Sequence, residues 1–182
     1  MDNDDLEIIA GLKRENQKDL AFNSLVNKYK ERLYWHIRKI VLNHEDADDV
    51  LQNTFVKVWR SIDKFREESS LYTWLYRIAT NESLTFINAS KRRNLMPLNE
   101  TSDFMVKNLT SDPYFEGDQL QLKLQQAIIR LPEKQRIVFN MKYFDEMKYE
   151  DMSQILDTSV GALKASYHHA AKKIEDFLKN SD

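Results

Sequence analysis

Two adjacent histidines, His168 and His169, stand out in a chain with four histidines and no cysteine. They lie in "SVGALKASYHHAAKK", residues 159–173. A metal-binding histidine pair on a helix needs i, i+4 spacing, because neighbouring residues project about 100° apart. The two rings therefore do not converge on one ion. His44 and Asp48 do have i, i+4 spacing, but in "HEDADD" they read as solvated residues of an acidic first helical turn. His36 has no second cluster of ligands near it in sequence. The absence of cysteine excludes disulfides and thiolate zinc sites and suits a reducing cytoplasm. No Ser/His/Asp set and no glycine-rich phosphate loop is present, so the sequence predicts no catalytic residue, no metal and no cofactor.

Two stretches have compositions that suit recognition of nucleic acid. Residues 64–93 hold six Lys or Arg against three Glu, interleaved with Trp74, Tyr72, Tyr76 and the amides Asn81 and Asn88. Bases stack on rings while cations track phosphates, which is the composition of a single-strand binding face. A core helix with a cationic end has the same composition. In 159–173, Val160, Leu163, Tyr167, Ala170, Ala171, Ile174 and Leu178 share one helical stripe, and Ala162, Ala165, His169, Lys172 and Lys173 point the other way. Small residues with interspersed charge suit both a DNA groove and a solvated surface.

These residues need helices to hold them. Only three glycines and three prolines in 182 residues, with 42% hydrophobic content, predict an all-α chain. Net charge is −2, from 27 Lys and Arg against 29 Asp and Glu, so distribution rather than total must carry any partner preference. No run is long and apolar enough for a membrane span, and the acidic start does not read as a signal peptide. Helices are predicted over 6–42, with Leu20, Leu25, Tyr29, Leu33, Ile37 and Ile40 at helical spacing, from Asn43 as N-cap, and from Ser69 or Ser70 to Arg93. The second of these is expected to bury Val50, Leu51, Phe55, Val58 and Ile62. From Met96 to Gln119 the period is lost, with two of the three prolines and one lysine against five acids. This reads as a flexible acidic linker, 96–119, between domains 1–95 and 120–182. In the second domain Pro132 suits a first helical position. "YEDMSQIL", a short turn and the 159–173 helix have the length of a helix-turn-helix.

Three blocks, "DADDVLQNTFVKVW", "LYTWLYRIATN" and "LPEKQRIVFNMKYFDEMKYEDMSQILDTSVGALKASYHHA", together resemble an extracytoplasmic-function (ECF) sigma factor, a small alternative specificity subunit of bacterial RNA polymerase. The form "VGALKASYHHA" is similar to the type found in Bacteroidetes-like bacteria. The resemblance implies that Asp48, Asp49, Gln52 and Phe55 dock on the β′ clamp helices of core polymerase. It implies that Lys64, Phe65, Arg66, Glu67, Ser69, Ser70, Trp74, Arg77 and Asn81 capture the minus-ten element as a single strand with a flipped base. Lys142, Lys164, Ala165, His168, His169 and Lys172 would face the minus-thirty-five duplex. The second domain would also bind the β flap, the linker would enter the polymerase nucleic-acid channel, and an anti-sigma factor would restrain the protein.

One departure stands out. Many family members read "VGTVKSRLHRA" here, where this chain has Ser166 and His169 in place of arginines. A neutral histidine brings no full charge to a phosphate. Weak binding of the second domain to isolated DNA is therefore expected, with both domains held on the promoter through the polymerase. Protonation of these rings would strengthen phosphate contact. A stand-alone helix-turn-helix regulator binding duplex DNA as a dimer is the competing reading.

Overall fold

The computed structural model describes residues 3–94 and 119–180, and every regular element among them is helical. The predicted linker, 96–119, lies outside the described residues except for its last position, Gln119, which already opens a helix. The first domain holds α1 (Asn3–Leu12), α2 (Lys18–Val41), α3 (His44–Ser61), a 3₁₀ turn (Ile62–Lys64) and α4 (Leu71–Asn94). The second holds α5 (Gln119–Ile129), α6 (Glu133–Tyr143), α7 (Tyr149–Leu156) and α8 (Val160–Lys179).

The single helix expected over 6–42 is two helices. Residues 13–17 form a turn, and α1 folds back onto α2. Gly11 explains the close crossing, since a Cβ there would sit 2.7 Å from the Ala21 Cβ. A buried Asp5 carboxylate fixes the pair by accepting hydrogen bonds from the Tyr29 hydroxyl (2.8 Å) and the Lys28 ammonium (2.9 Å). The break also reorients Leu20, which is 70% exposed rather than part of the core. Leu25, Tyr29, Leu33, Ile37 and Ile40 are buried as the periodicity predicts.

Capping sets the remaining boundaries. Asn43 Oδ1 accepts from the Asp46 N–H at 3.1 Å and starts α3. Ser70 Oγ accepts from the Thr73 N–H at 3.0 Å and starts α4. Ser159 Oγ accepts from the Ala162 N–H at 3.3 Å and starts α8. Pro132 stands just before α6 in extended geometry rather than at its first helical position. Within α3, Val50 and Val58 are buried, as is Ile62 just beyond it, while Leu51 and Phe55 are half-buried at the edge.

Two apolar cores result. A small one joins α5, α6 and α8 through Ile128, Leu131, Phe139, Ala170 and Ile174. The larger one is continuous between the domains: Leu71, Leu75 and Tyr76 of α4 belong to the same cluster as Met141, Met152 and Ile155 of α6 and α7. The second domain thus lies against the first, with α7 on α4 and α6 on α2.

Candidate nucleic-acid interface

The segment 62–70 must present polar and aromatic groups at the mouth of α4 without collapsing into the core. The 3₁₀ turn starts it, closed by the Phe65 N–H donating to the Ile62 carbonyl at 3.0 Å. Glu67 then takes a left-handed backbone conformation (φ 60°), which costs a non-glycine residue about 1–2 kcal/mol. Two ion pairs reach the loop from the other end of the domain, Lys13 to Glu67 and Lys18 to Asp63 (2.8 Å). Inside the loop, Phe65 meets Trp74 of α4 with ring centroids 5.1 Å apart. A cleft of about 740 Å³ opens there, lined by Lys64, Phe65, Arg66, Ser69, Trp74 and Arg77 among others. One cleft therefore gathers six of the nine residues expected at the minus-ten element. Ser70 is the α4 cap, Glu67 is the strained brace, and Asn81 is exposed one turn beyond Arg77.

The tyrosines part company with this face. Tyr76 is buried in the core, and Tyr72 lies 4.2 Å from it, with the Arg32 guanidinium over its ring. Burial raises both phenols, Tyr76 to about 12. Of the aromatic set, Trp74 and Phe65 carry the cleft, while Tyr72 and Tyr76 belong to packing.

On α3, Asp48, Asp49 and Gln52 are exposed on the surface, and Phe55 is half-buried against Phe22 in an edge-on contact at 6.5 Å. Their neighbour Asp46 has its carboxyl raised, by burial first and then by Asp49 and Glu45. Sequence periodicity missed the apolar part of this surface. Val56 is 43% exposed, and Trp59, also exposed, packs on Phe22 at 4.8 Å with Lys18 above its ring. His44 is held locally, by the Tyr34 hydroxyl at 2.7 Å and Asp48 at 3.5 Å.

In the second domain α7 and α8 form the two helices around a turn. Asp157 takes the left-handed position that ends α7 (φ 49°), and its N–H donates to the Ser153 carbonyl. Leu163, Ala170 and Ile174 are buried beneath α8, with Val160, Tyr167, Ala171 and Leu178 half-buried beside them. Lys164, Ala165, His168, His169 and Lys172 are all exposed. The two histidine rings stand 6.0 Å apart and tilted by 58°, as side-by-side helical positions require. Lys142 is separate from that row. It sits in the last turn of α6, where its ammonium donates to the Met147 carbonyl of the following turn (3.0 Å) and lies over the Tyr149 ring.

Residues 25–93 match the family profile of Sigma-70 region 2, and residues 121–174 match that of Sigma-70 region 4. The chain is 31% identical to the ECF RNA polymerase sigma-E factor of Haemophilus influenzae, over 87% of this chain and 88% of that protein. It belongs to the ECF sigma factor family. It is also 28% identical to the RNA polymerase sigma-H factor of Pseudomonas aeruginosa, over 96% of this chain and 94% of that protein. Two solved structures share the sigma factor's fold. One is CnrH in complex with the cytosolic domain of CnrY (TM-score 0.70, 20% identity, 99% of this chain and 100% of that chain). The other is the sigma factor RpoE in complex with the anti-sigma factor NepR from Bartonella quintana (TM-score 0.68, 21% identity, 87% and 96%). The aromatic cleft lies in region 2 and the exposed row of α8 in region 4; α1 precedes the region 2 match. No helix among the described residues is long and apolar enough to cross a membrane.

Proposed function

We propose that this alternative sigma factor divides promoter reading between two unlike surfaces. Domain 1–95 binds core polymerase and opens the minus-ten element, and domain 120–182 reads the minus-thirty-five duplex. The observation that carries this reading is the cleft of Phe65 and Trp74, ringed by Lys64, Arg66 and Arg77. A preformed aromatic cavity offsets the few kcal/mol, roughly, that unstacking a base costs. Asn81, exposed on the same helix, adds a donor and acceptor for base edges.

Region 4 approaches duplex DNA through Lys164, Ala165, His168, His169 and Lys172, with Lys142 reaching a phosphate once released from the Met147 carbonyl. Asp48, Asp49, Gln52 and Phe55 dock on the β′ clamp helices, and the exposed Val56 and Trp59 extend that surface with apolar area. Region 4 also engages the β flap. The 96–119 segment joins the two domains and follows the polymerase channel. The chain performs no catalysis of its own, works in the cytoplasm, and is restrained by an anti-sigma factor, as the two structural relatives are captured with such partners or their domains. The α8 motif supports a Bacteroidetes-like subtype.

Runoff transcription over fragments of the source genome tests this. Core polymerase with the chain should give discrete transcripts that core alone does not. A chain that footprints duplex DNA alone and gives no transcript with core would instead be a free-standing regulator.

A further inference from the structure

The minus-ten cleft has a back wall that lies outside the region 2 match, which begins at residue 25. Helix α1 and the start of α2 meet the 62–70 loop from behind. Ile9 and Leu12 of α1 line a cavity of about 220 Å³ together with Lys13, Ile62, Asp63 and Phe65. Phe65 therefore borders two spaces, this one toward α1 and the cleft it shares with Trp74. Lys18, the first residue of α2, donates to both Asp63 carboxylate oxygens, at 2.8 and 3.1 Å. The same ammonium lies 5.4 Å from the centre of the Trp59 ring. Lys13 pairs with Glu67. Among the described residues, these are the side-chain hydrogen bonds that tie 63–69 to another part of the domain.

We propose that Lys13 and Lys18 are positioning residues for minus-ten reading: they hold the 62–70 loop against the α1–α2 corner, in register with Trp74, and so set which base the cleft accepts without touching DNA themselves. The inference rests on the sigma-factor reading of the cleft.

The loop needs such a hold. The left-handed backbone of Glu67 (φ 60°) is one that a non-glycine residue keeps only where its surroundings over-determine it. The Phe65 N–H on the Ile62 carbonyl fixes the start of the loop and the Ser70 cap fixes its end. Between those two points, Lys13 grips Glu67. The corner that supplies the grip belongs to the helical core. Gly11 lets α1 cross close to Ala21 of α2, and the buried Asp5 ties α1 to Tyr29 and Lys28. Contact with a phosphate is the other use for a lysine near this cleft, and the geometry disfavours it. Lys18 is only 24% exposed and would have to abandon two bonds to Asp63. Each pair has an exposed member, and exposed pairs add little to global stability. Their effect falls on where the loop sits, which is what a base pocket depends on.

The test uses a promoter mapped by runoff transcription, with all four bases placed at each minus-ten position, and core polymerase with each full-length chain. Lys13→Met and Lys18→Met should each lower the ratio of transcript from the preferred base to the next by about threefold, the scale of one exposed ion pair. Lys13→Arg and Lys18→Arg should keep the parent ratio, and helical circular dichroism should be unchanged throughout. The ratio is taken within one chain, so any change in core binding cancels. Added to Glu67→Gln, Lys13→Met should alter the ratio no further, whereas a lysine on a phosphate would cost the same in both backgrounds. Amide hydrogen exchange of the free chain reads the hold without transcription. Residues 65–69 should exchange about threefold faster in Lys13→Met/Lys18→Met, with the buried amides of α4 unchanged. Parent-like ratios, a uniform fall at every base, additive effects with Glu67→Gln, or unchanged exchange at 65–69 would each overturn the proposal and leave the sigma-factor reading standing. A parent chain that gives no transcript with core removes that reading, and the proposal with it.

Discussion

The minus-ten cleft of region 2 and the outward row of α8 in region 4 are both expected to meet DNA, yet they are built oppositely. The cleft is braced from several directions: by Lys13 and Lys18 from the α1–α2 corner, by the Ser70 cap, and by the Phe65–Trp74 contact. The α8 row rests on Leu163, Ala170 and Ile174 beneath it, with Lys164 over the Tyr149 ring of α7, and its alanine and histidine side chains are exposed. A flipped base has no shape of its own to impose, so its pocket must exist beforehand. A duplex groove has a fixed shape, and a regular helix with small residues fits it without further construction.

The contrast predicts unequal sensitivity. Trp74→Ala should have the largest effect, because loss of one stacking platform is worth about 1–3 kcal/mol, roughly 5- to 150-fold in open-complex formation. Helical circular dichroism should be unchanged, since Trp74 is only half-buried. A variant that opens promoters normally would remove the cleft from the account. The two caps sharpen the comparison next. Ser70→Ala and Ser159→Ala should each lower stability by about 1 kcal/mol in denaturant titration. Ser70→Ala should be the more costly, since the Ser70 hydroxyl also bonds the Thr73 hydroxyl at 2.8 Å while the Ser159 cap is exposed.

Protonation gives a third way to separate the regions from the contact between them. Burial alone would raise the Asp145 carboxyl, but hydrogen bonding and charge from His36, then Lys39, outweigh it and hold it below the usual carboxylate value. A depressed folded value means that ionised Asp145 contributes stability above the unfolded carboxylate value of about 3.9, lost as pH falls through the folded one. The Asp145 contribution to stability, read by denaturant titration of the parent, should therefore stay constant from neutral pH down to about 4 and fall below it. Asp145→Asn should remove that dependence. Exchanging Asn81 should shift minus-ten base preference while core binding, measured by gel shift of the polymerase, stays intact. The smallest effect is expected at His169→Ala, a few-fold loss at minus-thirty-five sites, because its exposed ring is one of five side chains in the row and none of the core beneath depends on it.

Local chemistry made much of this legible in sequence. Asn43 caps its helix as its side-chain oxygen predicts, Ser70 does so of the two serines the sequence offered, and the α8 stripe buries or half-buries the residues its period selects. Tertiary packing was not legible. The break after α1 depends on Gly11 meeting Ala21 across a turn, and a helical period carries straight through it. His36 looked unpartnered because its partner Asp145 is 109 residues away. Leu20, Val56 and Trp59 have the composition of core residues and lie on the surface, which periodicity cannot distinguish when the burying element is unknown. The aromatic set on α4 split for the same reason: Trp74 faces Phe65 of the loop, while Tyr76 faces His36.

Permanganate reactivity of unpaired thymines on a mapped promoter tests the central claim most directly. Core polymerase with the parent chain should expose thymines around the minus-ten element, neither component alone should do so, and Trp74→Ala should suppress the signal. Protection of closed duplex by the chain alone, with no thymine made reactive in the presence of core, would contradict the account.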